Sequence, residues 1–115
     1  MPPPRGPEIL NFWHDALVQS IRDQAPDLTS RQMAILLSVY MTTPPHTVRG
    51  LARELNVAKP VVTRALDALS KLGYLKRVKD EEDRRNIFVQ RTVAGAVYLR
   101  DFADLVDEAA ESYAA

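Results

Sequence analysis

Cysteine is absent from this chain, so no disulfide can staple it and no thiol is available to sense oxidants. Histidine occurs only at His14 and His46, and neither belongs to a cluster with metal-ligand spacing. With four glycines in all, the chain has no Gly-rich loop to cradle a phosphate. The acidic run Asp80-Glu81-Glu82-Asp83 lacks the glycine and the alternating ligands of a calcium loop and reads as a solvated tip. No catalytic constellation survives these exclusions. The expectation is therefore a protein that is not an enzyme, with no cofactor and no metal. There is also no apolar run of about 18 residues to cross a bilayer, and the start Met1-Pro2-Pro3-Pro4-Arg5-Gly6-Pro7 lacks the apolar segment of a signal peptide. A cytoplasmic location with no membrane partner follows as an expectation.

Net charge is missing as well, at a formal zero, but it is unevenly spread. From His46 to Arg100 twelve Lys and Arg stand against six Asp and Glu, while from Asp101 onward there are five acids and no base. The basic surplus coincides with one segment, as an electrostatic footprint for nucleic acid would. Taken alone, it is equally the mark of a solvated surface.

That segment, Thr47 to Thr92, has a legible order. Val48, Leu51, Ala52 and Leu55 form the apolar side of a short helix that Thr47 can cap through its hydroxyl. Asn56-Val57-Ala58 makes a tight turn, and Pro60 falls in the first turn of a second helix, where its missing N–H costs nothing. In this second helix Val62, Ala65, Leu66, Leu69 and Leu72 recur at three-and-four spacing and form the buried stripe. Its outer face collects Pro60, Thr63, Arg64, Asp67 and Lys71, slim or polar side chains around a long cation, which suits entry into a DNA major groove. Gly73 supplies the left-handed residue that ends the helix. Two strands, Tyr74 to Val78 and Asn86 to Arg91, follow around the charged loop of residues 79–85. Residues 47–72 thus read as a helix-turn-helix and residues 74–91 as a wing.

The pattern Leu51-Ala52, Val62-Thr63-Arg64, Leu66-Asp67, Leu69, Gly73-Tyr74-Leu75, Arg77, Asp83-Arg84-Arg85 and Thr92 with Gly95 resembles the MarR family of bacterial winged helix-turn-helix regulators. The likeness covers roughly residues 28–105, and the Asp-Arg-Arg wing is its strongest element. It implies a mainly α fold with a small β-hairpin wing, and terminal helices that form a homodimer. It also implies a sequence-specific regulator of double-stranded DNA, a repressor, with the recognition helix in the major groove and the wing in the minor groove. Dimeric recognition would address half-sites about 10 bp apart. The chain departs from the family pattern at its C-terminus, where the long additional helix that usually completes the dimer is missing or reduced. An effector, small molecule or protein, is not specified by any of these residues.

Flanking the unit, residues 1–7 read as a proline-rich disordered tail and residues 8–115 as a single domain. A first helix is expected from Glu8 to about Gln24, within a terminal segment 8–25 that Pro26 ends. Its apolar residues Ile9, Phe12, Trp13, Leu17 and Ile21 spread over more than one stripe. Thr29-Ser30-Arg31-Gln32 is a capping-box pattern opening a helix to about Met41, with Met33, Leu36, Leu37 and Tyr40 at core spacing. Thr92 caps a last helix over 93–114, whose apolar side carries Val93, Val97, Phe102, Leu105, Val106 and Ala109. Ile9, Phe12, Trp13, Leu17, Phe102 and Val106 are the expected dimer contacts.

Roles within the DNA-binding unit follow from chemistry. Arg64 can pair bidentately with a guanine, grip a phosphate, or form an ion pair with Asp67 on its own helix. Thr63 and Pro60 can meet a thymine methyl or a phosphate, Lys59 and Arg49 suit backbone phosphates, and Lys71 extends the cationic face. Arg84 and Arg85 can reach a minor groove, or one of them can be tethered by Asp83 or Asp67 to hold the wing. The competing class is a winged-helix module that binds protein, docking a basic partner on its acidic wing tip and C-terminal helix.

Overall fold

A computed structural model of the chain describes residues 2–114 and contains, among them, five helices and three strands. The chain divides into two compact units, one comprising residues 28–97 and the other residues up to 27 together with those from 98.

The larger unit begins with α2, Ser30–Met41, which follows α1 of the other unit. Its entry is the capping box expected from the sequence: Thr29 Oγ1 accepts the Gln32 N–H at 3.1 Å, and Gln32 Oε1 accepts the Thr29 N–H at 2.9 Å. After α2 come β1 (His46–Thr47), α3 (Val48–Leu55), α4 (Lys59–Lys71), β2 (Leu75–Lys79) and β3 (Ile87–Arg91). Helices α2, α3 and α4 bury Ile35, Leu36, Val39, Leu51, Val62, Leu66 and Leu69, each at most 1% exposed. Ile35 and Val39 belong to this core in addition to Leu36, whereas Met33, Leu37 and Tyr40 are half-buried. The stripe on α4 ends one turn earlier than its spacing predicts, because Leu72 is the C-cap and 39% exposed. Gly73, at φ 76°, occupies the left-handed region as expected.

The sheet has three strands in the order β1-β3-β2, all antiparallel. His46 and Thr47 pair with Val89 and Phe88, so His46, expected in a loop, is a strand residue. Two residues cannot display an alternation, and their partners lie some forty positions away, so the sequence carries no local signal for this strand. The hairpin β2–β3 is buried mainly at its root, by Leu75 and Val89, and its far end projects into solvent.

In the smaller unit, α1 runs Gly6–Arg22 rather than Glu8–Gln24. Pro7 sits in the first turn, where proline is tolerated, which moves the start forward. The end comes earlier because Gln24 adopts φ 59° and closes the helix ahead of Pro26, with the Ala25 N–H bonded to Ser20 O at 3.1 Å. Of the expected tail, Gly6 and Pro7 are thus helical, residues 2–5 lie in neither helix nor strand, and Met1 lies outside the described residues.

Helix α5, Val93–Ala114, starts in the larger unit and ends in the smaller. Val93, expected on its apolar side, is 82% exposed. Trp13 packs edge-on against Phe102 at 5.3 Å, and Phe12 against Tyr113 at 5.3 Å. Phe102 is 9% exposed and packs within this unit against Trp13. Ile9, Trp13, Leu17 and Ile21 remain between 39 and 68% exposed. Among the described residues no helix is long and apolar enough to cross a membrane.

Candidate nucleic-acid interface

The helix-turn-helix is built from local rules. Thr47 Oγ1 accepts the Gly50 N–H at 2.9 Å and starts α3. Asn56, left-handed at φ 54°, ends it, and the Val57 N–H returns to Ala52 O at 3.0 Å. Asn tolerates that conformation better than most residues, which makes the turn short enough to set α4 directly against α3. Helix α4 then starts without a side-chain cap, as Ala58 dictates.

Outward from α4 stand Lys59, Pro60, Thr63, Arg64, Asp67 and Lys71, all exposed, with Arg49 exposed on α3. Arg64 Nε reaches Pro60 O of its own helix at 3.4 Å, a long contact that leaves most of its guanidinium donors available. The ion pair between Arg64 and Asp67 allowed by spacing does not form. Asp67 instead accepts from Arg77 Nη1 at 2.7 Å, because the hairpin brings β2 against α4. With side chains 30% and 56% exposed, this pair is worth at most about 1 kcal/mol, but it fixes the wing root to the recognition helix.

A second tie centres on Tyr40. Its hydroxyl lies 2.7 Å from Tyr74 O and 2.9 Å from Thr92 O, and it accepts the Thr92 N–H at 2.9 Å. One hydroxyl proton can serve only one of the two carbonyls at a time. Thr92 Oγ1 in turn donates to Gly73 O at 2.6 Å and accepts the Gly95 N–H at 3.1 Å, capping α5 as expected. Gly95 has to be glycine here: a Cβ would run into both the Tyr40 hydroxyl and the Tyr74 carbonyl. Arg91 makes a third tie, donating from Nε to Val39 O at 2.8 Å and from Nη2 to Thr42 O at 2.9 Å. A cation there also suits the carbonyl end of α2. The entry and exit of the wing are therefore both fastened to the helical core.

The acidic tip is a folded loop. Asp80 Oδ1 accepts the Glu82 N–H at 2.9 Å, its Oδ2 accepts from Asn86 Nδ2 at 3.2 Å, and the Asp80 N–H bonds Asn86 O at 3.0 Å. The Asn86 side-chain bond first, and the Glu82 amide second, hold the Asp80 carboxyl below the usual carboxylate range. Asp83 Oδ1 accepts the Arg85 N–H at 3.1 Å and meets Arg85 Nε at 3.5 Å. Arg84 makes no hydrogen bond or ion pair among the described residues. Neither arginine meets Asp67, so of the two tethers considered from sequence only Asp83 is used. No group of three or more His, Cys, Asp or Glu among the described residues is placed to hold a metal ion.

The model of the MarR family matches residues 28–87, just over half of the chain and nearly all of the winged unit. The chain belongs to the MarR family. A curated member, transcriptional regulator AdcR of Streptococcus pneumoniae, is 42% identical over 65 residues, which span 56% of this chain and 43% of AdcR. The chain thus spans less than half of that relative's length. Among solved structures, transcriptional regulator Tm0710 of Thermotoga maritima superposes with TM-score 0.73 at 27% identity, over 89% of this chain and 69% of Tm0710. A mutant of MepR from S. aureus, solved bound to an oligodeoxyribonucleotide, gives TM-score 0.75 at 20% identity over 90% and 73% of the two chains, a likeness of fold alone. Like these MarR-family structures, the fold is mainly helical with a winged helix-turn-helix.

The groups that hold the winged unit in shape leave no local signal in the sequence. Core spacing accounts for the Tyr40 ring, and nothing in that spacing announces its hydroxyl partners 34 and 52 positions away. Arg77 and Arg91 belong to the basic surplus, although both spend their charge inside the unit.

Proposed function

We propose that the chain is a DNA-binding transcriptional regulator that reads duplex DNA through α4 and grips the flanking backbone through its wing. One observation carries this most directly: Lys59, Pro60, Thr63, Arg64 and Lys71 share one face of α4, exposed to solvent, on a helix held to α3 and to the wing by the contacts above. A face of slim and cationic residues on a fixed support is what major-groove entry requires. Arg64 is the base-reading candidate, Lys59 and Arg49 contact phosphates, and Arg84 is the wing residue free to enter a minor groove while Arg85 is held by Asp83. No enzymatic chemistry is assigned, and a regulator of this kind acts in the cytoplasm.

The chain works as a homodimer in this reading. Ile9, Leu17 and Trp13 on α1 stay exposed after Trp13 and Phe12 have packed on α5, which is more apolar surface than a monomer comfortably leaves in water. A second copy covers it and presents two α4 helices to one duplex. The alternative, protein docking on the Glu81-Glu82 tip and the acidic C-terminal helix, draws on fewer free carboxylates than the acidic run suggests, because Asp80 and Asp83 spend theirs inside the loop.

Duplex binding titrated with salt tests the proposal. Affinity for random duplex should fall steeply as salt rises, and selection from a random pool should yield a preferred site. Arg64→Ala should then weaken the preferred site by about 1–3 kcal/mol and random DNA much less. A parent protein that binds no duplex at low salt overturns the proposal.

A further inference from the structure

Beside the outer face of α4 lies a groove of about 540 Å³ that the recognition helix shares with the start of α2. Arg31 lines it from α2 and Arg64 from α4, with Val61 and Ala65 forming its apolar floor. The capping box spends the Thr29 hydroxyl on the Gln32 amide and the Gln32 carbonyl on the Thr29 amide, so the charge in the groove comes from the two guanidinium groups. Arg31 is exposed and makes no hydrogen bond or ion pair among the described residues, and Arg64 has only its long contact to Pro60 O. Among the described residues no acidic side chain lines the groove. Two like charges line one cleft with no counter-charge among its lining residues, an arrangement relieved by an anion between them.

We propose that this groove seats a backbone phosphate of the DNA strand bordering the major groove that α4 enters, with Arg31 as its principal contact. The assignment rests on the DNA-binding reading above and adds to it a residue outside the helix-turn-helix. The occupant is a phosphodiester rather than a free anion because Arg64 both lines the groove and belongs to the exposed face of α4 that reads the duplex, so a strand passing that face comes within its reach. Arg31 carries no sequence information in this role. It anchors the start of α2 to the strand whatever the base sequence.

The test is binding of the full chain to a preferred and a random duplex across a salt series, with the parent, Arg31→Ala and Arg31→Lys. Arg31→Ala should weaken both duplexes by a similar factor and lower the slope of log affinity against log salt by about 0.9, one phosphate contact. Over a fourfold rise in salt the parent should therefore lose about threefold to fourfold more affinity than the variant. Arg31→Lys should restore the slope, and neither substitution should move the melting temperature, since the side chain holds nothing in the protein. An Arg31→Ala protein that binds both duplexes with the parent's affinity and slope overturns the assignment while leaving the DNA-binding reading intact. Loss confined to the preferred duplex overturns it too, since a phosphate contact cannot discriminate. If the parent itself binds no duplex, the underlying reading fails and this one with it.

Discussion

Replacing Tyr40 by Phe removes one oxygen and leaves the ring, so it isolates the hydrogen bonds that fasten the wing root. The Thr92 N–H loses its acceptor at 2.9 Å, and the carbonyls of Tyr74 and Thr92 lose the donor they share. A buried donor left unpaired costs about 1–3 kcal/mol, whereas the net value of an ordinary hydrogen bond is about 1 kcal/mol. Tyr40 is half-buried, so water can reach part of the site and the middle of that range, about 2 kcal/mol, is the estimate. For a domain of this size the melting temperature should fall by roughly 8 °C, read by circular dichroism at fixed protein concentration. Gly95→Ala should also destabilise, since the new Cβ meets the Tyr40 hydroxyl and the Tyr74 carbonyl. Because Tyr40→Phe clears the hydroxyl and leaves the Tyr74 carbonyl and the ring carbon Cζ, the double variant should lose less than the two single losses added together. A Tyr40→Phe protein that melts within about a degree of the parent, or strict additivity with Gly95→Ala, would refute the idea that this hydroxyl is the fastening point.

Three further outcomes follow from the same contacts. Arg84→Ala should reduce duplex affinity and leave the melting temperature unchanged, while Arg85→Ala should also loosen the tip; equal and purely salt-dependent losses at the two positions would remove that division. A double-mutant cycle on Asp67→Ala and Arg77→Ala should return a coupling of at most about 1 kcal/mol in stability, given their exposure, yet both single variants should weaken DNA binding by freeing the wing. Asp80 titrates below its ordinary value near 3.9, so its contribution to loop order is complete above that pH and is lost as pH falls through the lower folded value. In Asn86→Ala its pKa, followed by carboxyl NMR shifts, should rise toward the ordinary value, and an unchanged titration would discount the Asn86 bond as the main cause.

How far the sequence could be read depended on the range of the interaction. Caps, stops and stripes are local, and Thr29-Gln32, Thr47, Gly73 and Thr92 all do in the structure what their spacing implied. Contacts that cross between elements left no such trace. Asp67 has three candidate cations by position, Arg64 on its own helix and Arg84 and Arg85 on the wing, and pairs instead with Arg77, which only the packing of β2 against α4 could bring to 2.7 Å. Strand β1 was illegible for the same reason, being two residues defined wholly by their partners on β3. Phe102 marks a further limit: an apolar stripe does not say whether its cover is the same chain or another, and the contact with Trp13 depends on how α1 and α5 pack.

The two kinds of arginine in this unit show why a basic surplus is a poor map of a DNA face. Arg77 is paired with Asp67, Arg91 is folded onto the carbonyls of Val39 and Thr42, and Arg85 rests on Asp83. Arg77 and Arg91 have thereby lost conformational freedom and part of their capacity to donate, and they hold the wing root in place, whereas the Arg85 guanidinium, 88% exposed and 3.5 Å from Asp83, is only loosely held. Arg31, Arg64 and Arg84 make no ion pair within the protein among the described residues. Arg31 and Arg64 line one groove at α4, Arg49 and Arg53 stand exposed on α3, and Arg84 is on the wing, while the tethered ones lie in the hairpin that carries Arg84. Charge count therefore separates into a supporting set and an available set. If DNA is the partner, the salt dependence of binding should follow substitutions in the available set, and substitutions in the supporting set should act mainly through stability and wing position.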